Sequence, residues 1–86
     1  MDQLEREIAE SIVDALALPD VRIEDLSTDT PLYGEGMGLD SIDILEVALI
    51  VSKRYGFELR SDDPLNEQIF RSLGSLTEHV RRHRSK

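Results

Sequence analysis

Asp40-Ser41-Ile42-Asp43-Ile44-Leu45-Glu46-Val47-Ala48-Leu49-Ile50-Val51-Ser52-Lys53-Arg54-Tyr55-Gly56 is the longest apolar-periodic stretch of the 86-residue chain. Asp40 has the chemistry of a helix N-cap, and Asp43 stands three residues on, in the N3 place of a capping-box-like pair. Acids early (Asp43, Glu46) and bases late (Lys53, Arg54) complement the helix dipole. Gly56 is a good C′ residue, with Phe57 placed to pack back on the helix. These signals predict a helix over 41–55. On a helical wheel Ile44, Val47, Ala48, Val51 and Tyr55 share one face, while Ile42, Leu45 and Leu49 form a second stripe roughly 130–160° away. The second stripe has two readings. It is core between two helices, or a partner-docking patch rimmed by Asp43 and Glu46.

Capping at Asp40 puts Ser41 at the first helical position, beside free backbone N–H groups and the positive end of the dipole. A phosphate ester is favoured there, because helix N-termini are ready-made anion sites. Glycines at 34, 36 and 38 let the approaching backbone turn tightly and leave the serine uncrowded. Asp-Ser before an apolar run is also an ordinary helix start, so these residues alone leave Ser41 either a cap-region serine or a functional one. A catalytic nucleophile lacks support. It needs a general base held by a third group, and the histidines, His79 and His83, fall near the basic end of the last helix. The Gly-x-Ser-x-Gly elbow is absent as well.

Working outward, Leu4, Ile8, Ile12, Ala15 and Leu16 recur at spacings of three and four and predict an amphipathic first helix over about 2–18, ended near Pro19. Residues 19–39 have no sustained period and read as a long connection, with Ile23, Leu26, Leu32 and Leu39 fastening it to the core and a short turn near 23–27. Phe57-Glu58-Leu59 is a short extended piece. Asp62-Asp63-Pro64 reads as N-cap then Pro at N1, opening a short helix over about 64–70 with Leu65, Ile69 and Phe70 inward. Ser72 caps a last helix over 73–82, whose apolar positions are Leu73, Leu76 and Val80, and the basic tail 83–86 is expected to fray. The sum is all-α, three main helices and one short one in a single domain over 1–86.

Size, charge and cysteine content narrow the function. The chain has no cysteine, so no disulfide or thiolate metal site supports so small a core. Of its charges, 17 acidic and 5 basic side chains fall in residues 1–70, and 1 acidic and 5 basic in 71–86, for a net −8. An acidic body argues against nucleic-acid binding and suits steering toward basic partners, and Tyr33 and Tyr55 offer no interleaved basic-aromatic surface. No apolar run is long enough for a membrane span, and the start of the sequence is acidic where a signal peptide is basic. A cytoplasmic monomer is the expectation. His79 and His83 have metal-pair spacing, but no third ligand accompanies them, and solvated surface is the simpler reading. The acids do not follow EF-hand spacing.

Gly38-Leu39-Asp40-Ser41-Ile42-Asp43-Ile44-Leu45-Glu46 resembles the modification site of acyl carrier proteins. Asp29-Thr30-Pro31-Leu32, Tyr55-Gly56 and Ser72-Leu73-Gly74-Ser75-Leu76 extend the resemblance over nearly the whole chain. It implies an acyl-carrier-like bundle with no enzymatic activity of its own, made active by a phosphopantetheinyl transferase that uses coenzyme A. Ser41 would carry the 4′-phosphopantetheine arm. Asp40, Ile42, Asp43, Leu45, Glu46 and Leu49 would form the surface read by the transferase and by acyl-transferring, chain-elongating or modifying enzymes. Acyl intermediates of fatty-acid, polyketide or specialised lipid biosynthesis would ride as thioesters. The competing expectation is an unmodified acidic adaptor that binds a partner through Ile42, Leu45 and Leu49.

Overall fold

In a computed structural model, which describes residues 2–34, 36–59 and 64–86, the chain forms α1 (Gln3–Leu16), a single 3₁₀ turn (Ile23–Asp25), α2 (Ser41–Tyr55), α3 (Asn66–Ile69) and α4 (Leu73–His83). No strand occurs among the described residues. The all-α expectation holds. α1 packs against both α2 and α4, and α3 against α4.

The core takes one face from each long helix: Ile8 and Ile12 of α1, Val47 and Val51 of α2, and Leu73, Leu76 and Val80 of α4 are all buried. Phe70, just past α3, is the largest fully buried side chain. Burying an aromatic or branched aliphatic side chain stabilises by about 1.5–3 kcal/mol, which is why these positions decide the packing. The stripe of α1 differs in one place. Ala15 is exposed and Ala9 buried. α1 also ends earlier than Pro19 suggests, because Ala17 turns into the left-handed region at φ 50° and its N–H caps Asp14 and Val13.

The long connection is stitched down. Leu32, Met37 and Leu39 are buried, and Ile23 and Leu26 pack on the core edge. Thr30 accepts from Leu73 N–H (2.9 Å) and Thr28 from Gly74 N–H (2.9 Å), so the loop satisfies amides at the start of α4. The Thr28 hydroxyl donates to the buried Glu5 carboxylate of α1 (2.9 Å). One loop residue thus links α1 and α4. Ser72 and Ser75 form a capping box at α4.

Three expectations need correction. The short helix spans 66–69 instead of 64–70, and Leu65 is 55% exposed instead of inward, while Ile69 and Phe70 are buried. Its proposed cap, Asp62-Asp63, lies outside the described residues. The basic tail does not fray: the Ser85 and Lys86 amides donate to the Tyr55 carbonyl (2.9 and 3.2 Å), and the Arg84 guanidinium lies 5.1 Å above the Tyr55 ring. Stacking on the ring and binding carbonyls freed at the end of α2 outweigh the polarity of the tail. Tyr55 is the hub there, since its hydroxyl also donates to Glu7 of α1 (3.1 Å). Burial first, then the bond to Glu7, pushes its phenol above the usual tyrosine value, against the opposing Arg54 charge. At the N-cap of α1, the Glu5 amide (2.9 Å), and then the Arg81 guanidinium, hold the Asp2 carboxyl below the usual carboxylate range.

Candidate functional site

The N-terminus of α2 is built by the loop that precedes it. Met37 N–H donates to the Pro31 carbonyl (2.9 Å) and Leu39 N–H to the Leu32 carbonyl (3.0 Å), so the two arms of the loop are tied side by side. Leu39 is buried at the residue before the cap, and Ile44 is buried four residues beyond the cap. That is the arrangement of a hydrophobic staple, which sets the angle at which a chain enters a helix. Asp40, in extended conformation, accepts from Asp43 N–H (2.9 Å), and the Asp43 carboxylate accepts from Asp40 N–H (3.2 Å). The capping box is reciprocal, with an aspartate where glutamate is usual.

This fastening leaves Ser41 at the first position of α2, exposed. Its hydroxyl has a property that sets it apart. The side-chain oxygens of Ser11, Ser27, Ser52, Ser72, Ser75 and Ser85 all hydrogen-bond to protein. Among the described serines, only Ser41 Oγ makes no such bond. It is presented to solvent at the end of a 15-residue helix whose dipole and early amides favour an attached anion.

The two faces of α2 separate as the wheel suggests. Ile44, Val47, Val51 and Tyr55 are buried, whereas Ile42 is 74% exposed and Leu45 and Leu49 each 54%. The second stripe therefore is not core. Asp40 and Glu46 are exposed beside it and Asp43 is half-buried. A cleft of about 380 Å³ opens next to the stripe, running from Ser41 past Leu45 and Leu49 to Ser52, with Phe70 and Tyr33 across from α2. The sequence reading did not single out Tyr33 or Ser52. Tyr33 comes from the loop, and no local pattern announces that it will face a helix; Ser52 falls between the two stripes.

Among the described residues neither histidine lies at Ser41. His79 and His83 line a separate hollow on α3 and α4, where His79 packs edge-on against Phe57 (5.7 Å between centroids) and over His83 (4.3 Å). Among the described residues no group of three potential metal ligands exists. No described helix is long and apolar enough to cross a membrane. The site offers an unengaged hydroxyl, an anion-favouring helix end, an exposed apolar stripe with acids at its rim, and a cleft that could hold an apolar chain.

Comparison with known proteins agrees with that inventory. Residues 6–80 match a family model described as the phosphopantetheine attachment site. The chain is also similar to an acyl carrier protein of Chlamydia trachomatis serovar L2, with 29% identity over 82 residues that cover 95% of this chain and 97% of that one.

Proposed function

The chain belongs to the phosphopantetheine-attachment family of acyl carrier proteins, and from that premise we propose that Ser41 is its attachment residue and that the α2 surface around it docks the partner enzymes. Family membership makes the protein a carrier rather than a catalyst, working through a covalently attached 4′-phosphopantetheine. The observation that carries the assignment to Ser41 is its exposed, unengaged hydroxyl at the start of α2. The surroundings fit the group. The first-turn amides favour the phosphate, and the cleft beginning at Ser41 suits a flexible chain. Ser41 Oγ would bond to the phosphorus of the phosphopantetheine portion of coenzyme A, breaking the pyrophosphate, losing its proton and releasing the nucleotide. Once bound, the arm supplies a thiol that holds acyl groups as thioesters.

The rest of the chain then has a role. Residues 1–86 act as one cytoplasmic, monomeric carrier domain. Asp40, Ile42, Asp43, Leu45, Glu46 and Leu49 meet a phosphopantetheinyl transferase and, in turn, enzymes that load, extend or modify the acyl group in fatty-acid, polyketide or specialised lipid biosynthesis. Apolar anchors inside a charged rim suit this transient docking. The direct experiment is intact-protein mass spectrometry after incubation with coenzyme A and a promiscuous transferase. A single phosphopantetheine increment is expected, and an unchanged mass refutes the proposal.

Two substitutions probe the surface. Leu45→Asp places a charge in the exposed stripe, so the fold should change by no more than about 0.5 kcal/mol. The kcat/KM for arm attachment should fall about tenfold or more, as for loss of a docking anchor; an unchanged value removes Leu45 from the interface. Asp40→Ala deletes the cap and should lower stability by about 0.5–2 kcal/mol in urea titrations. It should also slow arm attachment at temperatures where the variant remains folded. Wild-type attachment by that variant would limit Asp40 to capping.

A further inference from the structure

The charges nearest Ser41 in sequence are acids. Asp40 and Asp43 close the capping box around it, and Glu46 is exposed one turn on. A phosphodiester on Ser41 adds a negative charge to that group, and a guanidinium within reach would form a charge-assisted pair with it. The backbone brings one close. Leu32 N–H donates to the Arg71 carbonyl (3.4 Å), while the Leu32 carbonyl accepts from Leu39 N–H (3.0 Å). Two hydrogen bonds and the one residue between them hold the backbones of Arg71 and Leu39 within about 10 Å, and Ser41 follows two residues after Leu39. Side chains continue the connection. Tyr33 and Asn66 line both the cleft that begins at Ser41 and an adjoining hollow lined by Glu67 and Arg71.

Arg71 is also uncommitted. Arg6, Arg22, Arg54, Arg81 and Arg82 each pair with a carboxylate, and Arg84 lies over Tyr55. Alone among the described arginines, Arg71 has neither, although Glu67 stands four residues before it. Arginine suits phosphate because its planar fork of donors matches two phosphate oxygens at once.

We infer that Arg71, which lines the same hollow as Tyr33, forms an anion subsite for the phosphodiester that joins the arm to Ser41. The inference rests on Ser41 being the attachment residue. Arg71 offsets the repulsion from Asp40 and Asp43 and holds the root of the arm over the mouth of the cleft. The arm then sets out along α2 instead of into solvent.

The test compares the guanidinium Nε–H resonances of ¹⁵N-labelled protein in four forms: apo, holo, and holo loaded with butyryl or succinyl from the coenzyme A thioesters. Arg71 Nε–H should shift from apo to holo more than any other arginine and keep that shift with either cargo. Because Arg71 is exposed, Arg71→Gln should fold and accept the arm in wild-type yield, yet move the ³¹P resonance of the phosphodiester. An Arg71 signal unmoved by arm attachment overturns the inference. So does one that moves only with succinyl, which would make the ligand a cargo carboxylate. A wild-type protein that takes no arm on Ser41 overturns the underlying assignment and this inference with it.

Discussion

Ser41→Ala yields a folded protein whose mass stays unchanged after incubation with coenzyme A and a transferase that adds one arm to the wild type. Folding survives because the substitution removes little. Ser41 is exposed, its hydroxyl bonds to no described group, and alanine at the first position of a helix is well tolerated. The cap belongs to Asp40 and the reciprocal bond to Asp43, and both remain. Stability should change by no more than about 0.5 kcal/mol in a urea titration. The loss of the adduct, by contrast, should be total, because no described serine replaces this one. Ser52 donates to the Leu49 carbonyl inside the cleft, and Ser72 and Ser75 are spent capping α4. An adduct that persists in Ser41→Ala moves the attachment elsewhere and refutes the assignment. A variant that loses the adduct but also its helical circular dichroism says instead that Ser41 supports the fold.

The readable parts of this molecule are those where local chemistry and tertiary packing agree. α2 declares its start through Asp40 and Asp43, its end through Gly56 and its buried face through a 3.6-residue period, and all three are realised. The staple from Leu39 to Ile44 went unread, although it is a fixed spacing of apolar residues about the cap; Leu39 was read only as a loop residue fastened to the core. Leu65 and the tail were misread for one common reason. Each assignment extended a local pattern past the point where the fold takes over: the short α3, and the docking of Ser85 and Lys86 on Tyr55. Ala15 differs, since it lies within α1 and is exposed there while Ala9 is buried. Periodicity could not decide whether Ile42, Leu45 and Leu49 were core or surface, because either use gives the same wheel. That is settled by which neighbours exist, and α1 packs against α2 on its other face. The cleft was the least legible feature. Its walls come from α2, the loop at Tyr33 and the α3 region at Phe70, segments whose meeting no single stretch encodes.

Gly36→Ala should destabilise the domain by about 2–6 kcal/mol, whereas Gly34→Ala, two residues away, should cost about 1 kcal/mol. The contrast is informative because the two glycines are needed for different reasons. Gly34 sits at φ +55°, where a side chain is strained, but the space around an added Cβ is empty. At Gly36 an added Cβ would stand 1.8 Å from the carbonyl oxygen of Pro31 and 2.6 Å from its carbon, which is backbone that cannot swing aside. To make room, the arm carrying Pro31 and Leu32 must part from the arm carrying Met37 and Leu39. Parting them stretches the bond from Met37 N–H to that same oxygen and loosens two buried side chains, Leu32 and Met37. Overpacking typically costs about 1–3 kcal/mol, and a buried backbone group left unsatisfied about 1–3 kcal/mol. The sum is a large share of the stability of so small a domain. Urea midpoints of the two variants measure the difference, and equal midpoints would show that the loop opens without penalty. The loop also sets the angle at which Ser41 is presented. Gly36→Ala should therefore slow arm attachment under conditions where it is still folded, while Gly34→Ala, whose two arms stay joined, should accept the arm at close to the wild-type rate.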